Sequence, residues 1–221
     1  MDENSGRSRR RTAALWGSGA LAAVVLLLGV NGTLASWTSA LITNDDDTAG
    51  VAAGYLALVE TDGTHTCDTS TQPSNTVASC STINKYGGNL SMSPGDVEVV
   101  DVTFTNPGTA VGNVFGYAPG SCTAVNGTGG IDLCTDGDLT VAVSCSTGST
   151  YNAGALVAAL GQSGIAPGSL VTKSWTGSPA LAASAASAVT CRFTTTLAAT
   201  APASDAGSRV SQPVTWTLDA S

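Results

Sequence analysis

Cysteines are the residues of this 221-residue chain whose spacing most plainly predicts chemistry. All six lie beyond residue 66, and an even number of cysteines in an exported chain favours disulfides. Six cysteines allow 15 pairings, and the spacing favours neighbours in sequence, each closing a short polar loop. The last two cysteines lie in strand-like runs and suit a bridge between strands. The favoured pairs are Cys67–Cys80, Cys122–Cys134 and Cys145–Cys191.

Residues for catalysis or zinc binding are scarce. His65 is the only histidine, and no pair of cysteines has the C-x-x-C spacing of a zinc site. The chain has no G-x-S-x-G elbow, no H-E-x-x-H motif and no phosphate-binding or dinucleotide-binding loop. His65 lies in a polar stretch beside Cys67 and is interpreted as an exposed loop residue. We therefore predict a protein that is not an enzyme and that uses no cofactor.

Two acidic clusters have the residue types that bind calcium. They are the run Asp45–Asp47 and the pair Asp136 and Asp138, whose carboxylates could hold a Ca²⁺ ion weakly. Neither cluster has the twelve-residue loop pattern of a dedicated calcium site. Solvated turn charge is the favoured interpretation, and we predict no metal.

The first 36 residues have the three parts of an export signal. Arg7 to Arg11 supply positive charge, residues 13–30 are apolar, and Thr33-Leu34-Ala35 is a small-x-small site. We predict cleavage after Ala35 or Ser36, so that Trp37 lies at the processing site. The alternative is an uncleaved leader that anchors the chain in a membrane. Together with the cysteines, the leader predicts a protein that is secreted or held at the surface of a bacterial cell.

The charge balance excludes a polyanionic partner. Removing residues 1–36 takes away two of the 16 acidic and four of the eight basic residues, which leaves a net charge of about −10. Because too few cations remain to neutralise phosphates, we predict no binding to nucleic acid.

Beyond the leader the hydrophobic period is two, which is typical of strands. In residues 96–106, Val100, Val102 and Phe104 point to one side and are predicted to be core residues, and the preceding Ser93–Asp96 has the Pro-Gly signature of a type II turn. One short helix is predicted within residues 151–164. The strands predict an all-β fold, an antiparallel jelly-roll-like β-sandwich over residues 51–221, preceded by the signal helix. The predicted strands cover residues 51–60, 96–106, 113–118, 139–145, 189–199 and 213–220.

Three sequence segments resemble the TasA/camelysin family, whose members are secreted fibre proteins of bacterial biofilm matrices and spore coats with a SipW-type (alternate-type) signal peptide. The matching residues are Gly32, Thr33, Ala35 and Trp37; Val51, Ala53, Gly54, Leu56 and Leu58; and Pro94, Gly95, Asp96, Asn106 and Gly108. The six cysteines depart from the best-known fibre proteins. The protease activity described for camelysin-type members is not carried over, because the histidine ligands are missing.

The resemblance implies a fibre subunit that joins its neighbours by donor-strand exchange. Residues 37–50 would form an N-terminal arm that adds to an exposed sheet edge of the next copy, with Trp37, Leu41 and Ile42 as its anchors. The expected partners are a signal peptidase during export and further copies of the chain, with membrane contact only through the uncleaved leader. Two alternatives stay open: residues 37–44 are the first strand of a monomer, or the protein is a monomeric binding module whose disulfide loops hold a carbohydrate or a protein.

Overall fold

The computed structural model of the chain describes residues 54–71, 78–127 and 129–220. The chain divides into two units, Met1–Thr38 and Ser39–Ser221, and every described residue belongs to the second. The predicted leader (residues 1–36) and arm (residues 37–50) lie outside the described residues, as do their candidate residues Ala35, Ser36, Trp37, Leu41 and Ile42.

Antiparallel strands dominate the described residues. The strands are β1 (Val59–Thr61), β2 (Thr66–Asp68), β3 (Val97–Thr105), β4 (Gly112–Pro119), β5 (Thr123–Val125), β6 (Leu139–Thr147), β7 (Gln162–Ile165), β8 (Lys173–Leu181), β9 (Ala188–Leu197), β10 (Arg209–Ser211) and β11 (Val214–Asp219). They form a six-stranded sheet in the order β2-β1-β3-β9-β6-β7, a three-stranded sheet in the order β11-β4-β8, and the pair β10-β5. The described helices are single 3₁₀ turns, and none of them has the length and apolar character needed to cross a bilayer. The predicted all-β, antiparallel fold is confirmed.

Strand β3 shows why this sequence forms a sheet. Val102 and Phe104 are fully buried, whereas Val97 and Val99 on the opposite face are about half exposed. Side chains on a strand alternate between its two faces, so the predicted core positions Val102 and Phe104 are confirmed, and Val100 packs against the same core while partly buried. The strand begins after the predicted turn, in which the Asp96 N–H donates to the Ser93 carbonyl at 2.9 Å and Gly95 has a φ of 92°. A positive φ at this third turn position favours glycine.

Two sequence predictions need correction. The helix predicted within residues 151–164 is wrong, because only the 3₁₀ turn Ala158–Leu160 forms there and β7 follows it. The Val157 N–H donates instead to the Cys145 carbonyl at 2.8 Å, so pairing with β6 overrides the helical spacing.

Of the strand predicted for residues 51–60, residues 51–53 lie outside the described residues, and residues 54–58 form a segment outside any strand that enters β1 only at Val59. In that segment the Ala57 N–H donates to Asn106 Oδ1 and the Leu58 N–H donates to Thr69 Oγ1. Side chains of neighbouring loops thus take the place of a partner strand.

Aromatic side chains join the two larger sheets into a sandwich. Trp216 of β11 lies with its ring centroid 4.1 Å from that of Phe104 and 6.2 Å from that of Phe193, both on the six-stranded sheet. It also stacks on Phe115 of β4 at 5.6 Å. A smaller apolar cluster, formed by Leu133, Leu139 and Leu197, lies where β9 ends and β6 begins. Each aromatic pair contributes about 0.5–1.5 kcal/mol beyond the burial of its area.

The structure contains three disulfides, and all six cysteines of the described residues take part in them. The bonds are Cys67–Cys80, Cys122–Cys134 and Cys145–Cys191, the pairings that the spacing favours. Cys145 and Cys191 are directly opposite each other on β6 and β9, and both are buried. Three disulfides in a chain of this size are typical of an oxidising environment, extracellular or periplasmic.

Asn106 fixes the loop between β3 and β4 and carries a testable prediction. Its side chain is fully buried; Oδ1 accepts hydrogen bonds from the Ala57 and Gly108 N–H groups, and Nδ2 donates to the Ala110 carbonyl at 2.8 Å. We expect Asn106→Asp to lower the free energy of unfolding by about 3 kcal/mol, because a buried carboxylate would face a carbonyl it cannot donate to. Urea unfolding measures the change.

The matched control is Asn152→Asp on an exposed loop. There only the side-chain oxygen is used, as the acceptor of the Gly154 N–H at 2.8 Å, and the carboxylate preserves that bond. Equal stabilities of the two variants would contradict the role assigned to the Asn106 amide.

Candidate functional site

An open groove with a volume of about 1470 Å³ lies beside strand β11 in the described residues. We call it the β11 groove. Its floor is the inner face of β9 at Thr195 and Leu197, and Trp216 and Leu218 of β11 form one wall. The opposite wall consists of the extended segment before β1 and the loop of residues 78–94, which contribute Leu56, Ile83 and Tyr86. The lining is therefore mainly apolar, with a few polar groups at defined places.

The groove runs beside a free sheet edge. Strand β11 pairs with β4 on one side, and no other described strand pairs with its second edge. A strand edge without a partner presents backbone N–H and C=O groups that another extended segment can satisfy. The outer strands β2, β7 and β8 also end their sheets, but the groove opens along β11.

Glu60 Oε1 has the Lys85 Nζ at 2.6 Å as an ionic partner, but three other buried polar atoms in the groove have no hydrogen-bond partner among the described residues. They are Thr195 Oγ1, Asp205 Oδ2 and Trp216 Nε1. Buried polar groups in folded proteins are nearly always paired, and an unpaired one costs about 1–3 kcal/mol. The groove therefore contains both a donor and acceptors that the described residues leave unpaired.

Two pairs of polar side chains in the groove wall contact each other. Glu60 and Lys85 form a buried ion pair, with 2.6 Å between Oε1 and Nζ. The Tyr86 hydroxyl donates to Gln212 Oε1 at 2.5 Å, and burial raises the pKa of Tyr86, so the ring remains neutral. These side chains of the wall are held in place by their partners, unlike the three unpaired atoms.

One end of the groove is acidic. Asp205 lies in the 3₁₀ turn Ala203–Asp205, is 8% exposed, and has its side chain within hydrogen-bonding reach of the Asp138 carboxyl. Partial burial raises the pKa of Asp138, and the neighbouring carboxyls of Asp136 and Asp205 raise it further. No group of three or more histidine, cysteine or acidic side chains within the described ranges is arranged to hold a metal ion.

His65 takes part in a surface turn, as the sequence predicts. Its side chain is 48% exposed, and Nδ1 lies 3.1 Å from the Asp62 carboxylate. The His65 backbone N–H also donates to Asp62 Oδ1 at 2.6 Å, and this bond is the main cause that lowers the pKa of Asp62 to about 2. The pair is distant in sequence from β11 and is explained by the turn it stabilises.

The sequence did not identify this site. The sequence shows Asp136 and Asp138 as a pair, but it gives no sign that Asp205, almost 70 residues later, lies beside them. Thr195 belongs to a run of three threonines with no distinguishing pattern. The position of Trp216 in an apolar-polar strand was the one available signal.

The geometry defines a class: a disulfide-bonded antiparallel β-sandwich with an open groove along one sheet edge. No family model matches the chain, and no curated protein gives a significant match to it.

Trp216 carries a prediction that separates its packing from its hydrogen bond. We expect Trp216→Ala to lower the free energy of unfolding by about 3–5 kcal/mol, because the ring fills the space between the two sheets. Trp216→Phe keeps an aromatic ring and removes an N–H that has no partner, so its cost is expected to be about 1 kcal/mol. Urea unfolding of the two variants tests this. A large loss in the phenylalanine variant would show that the N–H is satisfied within the chain.

The acidic end of the groove carries a prediction for pH. Because the folded-state pKa of Asp138 is raised, the folded protein binds this proton more tightly than the unfolded chain does. Ionisation therefore destabilises the fold as the pH rises from the unfolded pKa of about 3.9 through the folded value. We expect Asp138→Asn to be more stable than the wild type at pH 7, and the difference to shrink at pH 3. Urea midpoints at the two pH values measure it.

The control is Asp132→Asn, which removes an exposed carboxylate from the same loop but outside the cluster and keeps the acceptor for the Cys134 N–H. This variant should retain the pH dependence of the wild type. The same pH dependence in the wild type and in Asp138→Asn would contradict the prediction.

Proposed function

We propose that the protein is a secreted structural subunit of the TasA/camelysin type, which assembles into fibres of a biofilm matrix or cell surface by donor-strand exchange. The sandwich would be a jelly roll, and its β11 groove would receive residues 37–50 of a neighbouring copy. Removal of the leader would release that arm after export, so that assembly is kept out of the cytoplasm.

The observation that carries the proposal is the apolar groove with three unpartnered polar atoms beside a free strand edge. An extended peptide offers what these atoms lack, because it has a carbonyl for the Trp216 N–H and donors for the Asp205 carboxylate. The free edge of β11 can bond the peptide's backbone, and the apolar floor can receive alternate side chains.

The sequence of the arm supports this fit. In an extended strand, Trp37 and Leu41 would lie on one face, about 13 Å apart, with the small polar Ser39 between them on the same face. Asn44 and Asp45 to Asp47 follow, and they suit a solvated linker between one subunit and the next. The three disulfides support secretion, since such bonds persist in oxidising compartments.

The test compares the processed chain with a variant that lacks residues 37–44, using negative-stain microscopy and light scattering. We expect fibres of uniform width from the processed chain and a stable monomer from the truncated one. A synthetic peptide of residues 37–44 should slow fibre growth by occupying the groove. Equal assembly with and without the arm would overturn the proposal.

Two point variants make the test independent of arm length. Trp37→Ser combined with Leu41→Ser removes both anchors, and we expect the critical concentration for assembly to rise more than tenfold, since each buried side chain contributes about 1.5–3 kcal/mol. Ser39→Ala is the matched control on the same strand. A processed chain that stays monomeric and binds a sugar or a protein through its disulfide loops would point to the binding module instead.

A further inference from the structure

We propose that the Asp205 and Asp138 carboxylates receive the α-ammonium group at the amino end of the neighbouring copy's processed arm. This inference rests on the proposed function, and it deepens it by specifying which end of the arm lies where. It also makes removal of the leader a chemical requirement for assembly, because the ammonium group exists only after cleavage.

The buried Asp205 carboxylate needs a cation or a hydrogen-bond donor beside it. The residue is 8% exposed, its Oδ1 accepts from the Ser204 hydroxyl at 3.4 Å, and its Oδ2 has no donor among the described residues other than a proton that it can share with Asp138. The neighbouring Asp138 lies within hydrogen-bonding reach and adds a second negative charge. A buried carboxylate is costly unless it is paired and hydrogen-bonded. An ammonium group provides a positive charge and three N–H donors in one small group.

The acidic pair lies at one end of the groove. Asp138 directly precedes Leu139, whose register partner is Leu197 at the end of β9. Phe193 lies four residues before Leu197 on β9, which places it about 13 Å from Leu197 along the groove. Trp216 packs on Phe193. Leu218 lies further in the same direction, opposite Phe115. The groove therefore runs from the carboxylates, past Trp216, to Leu218.

Charge decides the direction of the arm. If its carboxyl end lay beside Asp205, the run Asp45–Asp47 would approach a cluster that is already negative, and like charges at close range repel. With the opposite direction the run leaves the groove near Leu218, and the arm runs parallel to β11.

The side-chain spacing agrees with this direction. Trp37 would enter the apolar cluster of Leu133, Leu139 and Leu197, next to the carboxylates. Leu41 would then lie about 13 Å along the floor, beside Trp216. An uncleaved chain would instead place a neutral peptide bond at this point, and its apolar leader would have to continue past the acidic pair.

The experiment uses the processed chain, beginning at Ser36 or Trp37, with its amino group either free or acetylated. The critical concentration for assembly is measured by light scattering, and the fold is checked by circular dichroism. We expect acetylation to raise the critical concentration about tenfold, the usual effect of losing a hydrogen bond to a charged group. Asp205→Asn with a free amino group should raise it by a similar factor.

A double-mutant cycle shows whether the two groups interact. We expect acetylated Asp205→Asn to assemble no worse than either single change, because both changes remove the same contact. Asp132→Asn, which changes the charge equally outside the cluster, should assemble like the unmodified protein. The inference would be overturned if the increases in critical concentration from the two single changes multiply in the double variant. Unchanged assembly after acetylation would also overturn it.

The outcomes also separate this inference from the proposed function. If the chain without residues 37–44 fails to assemble but the acetylated chain assembles normally, the arm is used and only the inference about its amino end falls. If Ca²⁺ stabilises the wild type but not Asp205→Asn, and acetylation has no effect, the carboxylates serve a metal ion and the inference is overturned.

Discussion

The contact of Trp216 with both sheets is the interaction on which the rest of the structure depends. Its ring lies against Phe104 and Phe193 of the six-stranded sheet and against Phe115 of the three-stranded sheet. It thereby holds β11 over β3 and β9. Since β11 is the last strand of the narrower sheet, the wider sheet continues past it toward β1 without a described strand above it. The groove is the space that this mismatch leaves.

Polar satisfaction distinguishes the groove from the rest of the fold. Asn106 is as deeply buried as any residue, yet its side chain has partners for both its oxygen and its nitrogen. The groove atoms of Thr195, Asp205 and Trp216 have none within the described residues. The complete pairing of the buried Asn106 amide shows that this part of the interior is well organised. The unpaired atoms are therefore a local feature of the groove, and the proposed extended peptide would supply donors and acceptors to them.

The local sequence pattern predicted most of the long strands but few residues of the β11 groove. The alternation in β3, the turn at Gly95 and the three disulfide pairs follow from spacing alone. The helix predicted within residues 151–164 failed because pairing with β6 and the break at Gly161 outweighed the spacing of its leucines. The groove could not be predicted, since it depends on strands far apart in sequence. Asp205 meets Asp138 only because β9 and β10 bring the two loops together.

The charge of the chain limits how it can associate. Beyond residue 36 the acidic residues exceed the basic ones by ten, so two copies repel each other at long range. Two of the four basic side chains, Lys85 and Arg192, already form ion pairs with Glu60 and Asp101. In the proposed fibre, attraction would come from short-range contacts, namely backbone pairing and apolar anchors, and from any new positive charge. The amino group that processing would create is such a charge, and it would lie at the end of the proposed arm. Processing and assembly would in this way be coupled by electrostatics as well as by release of the arm.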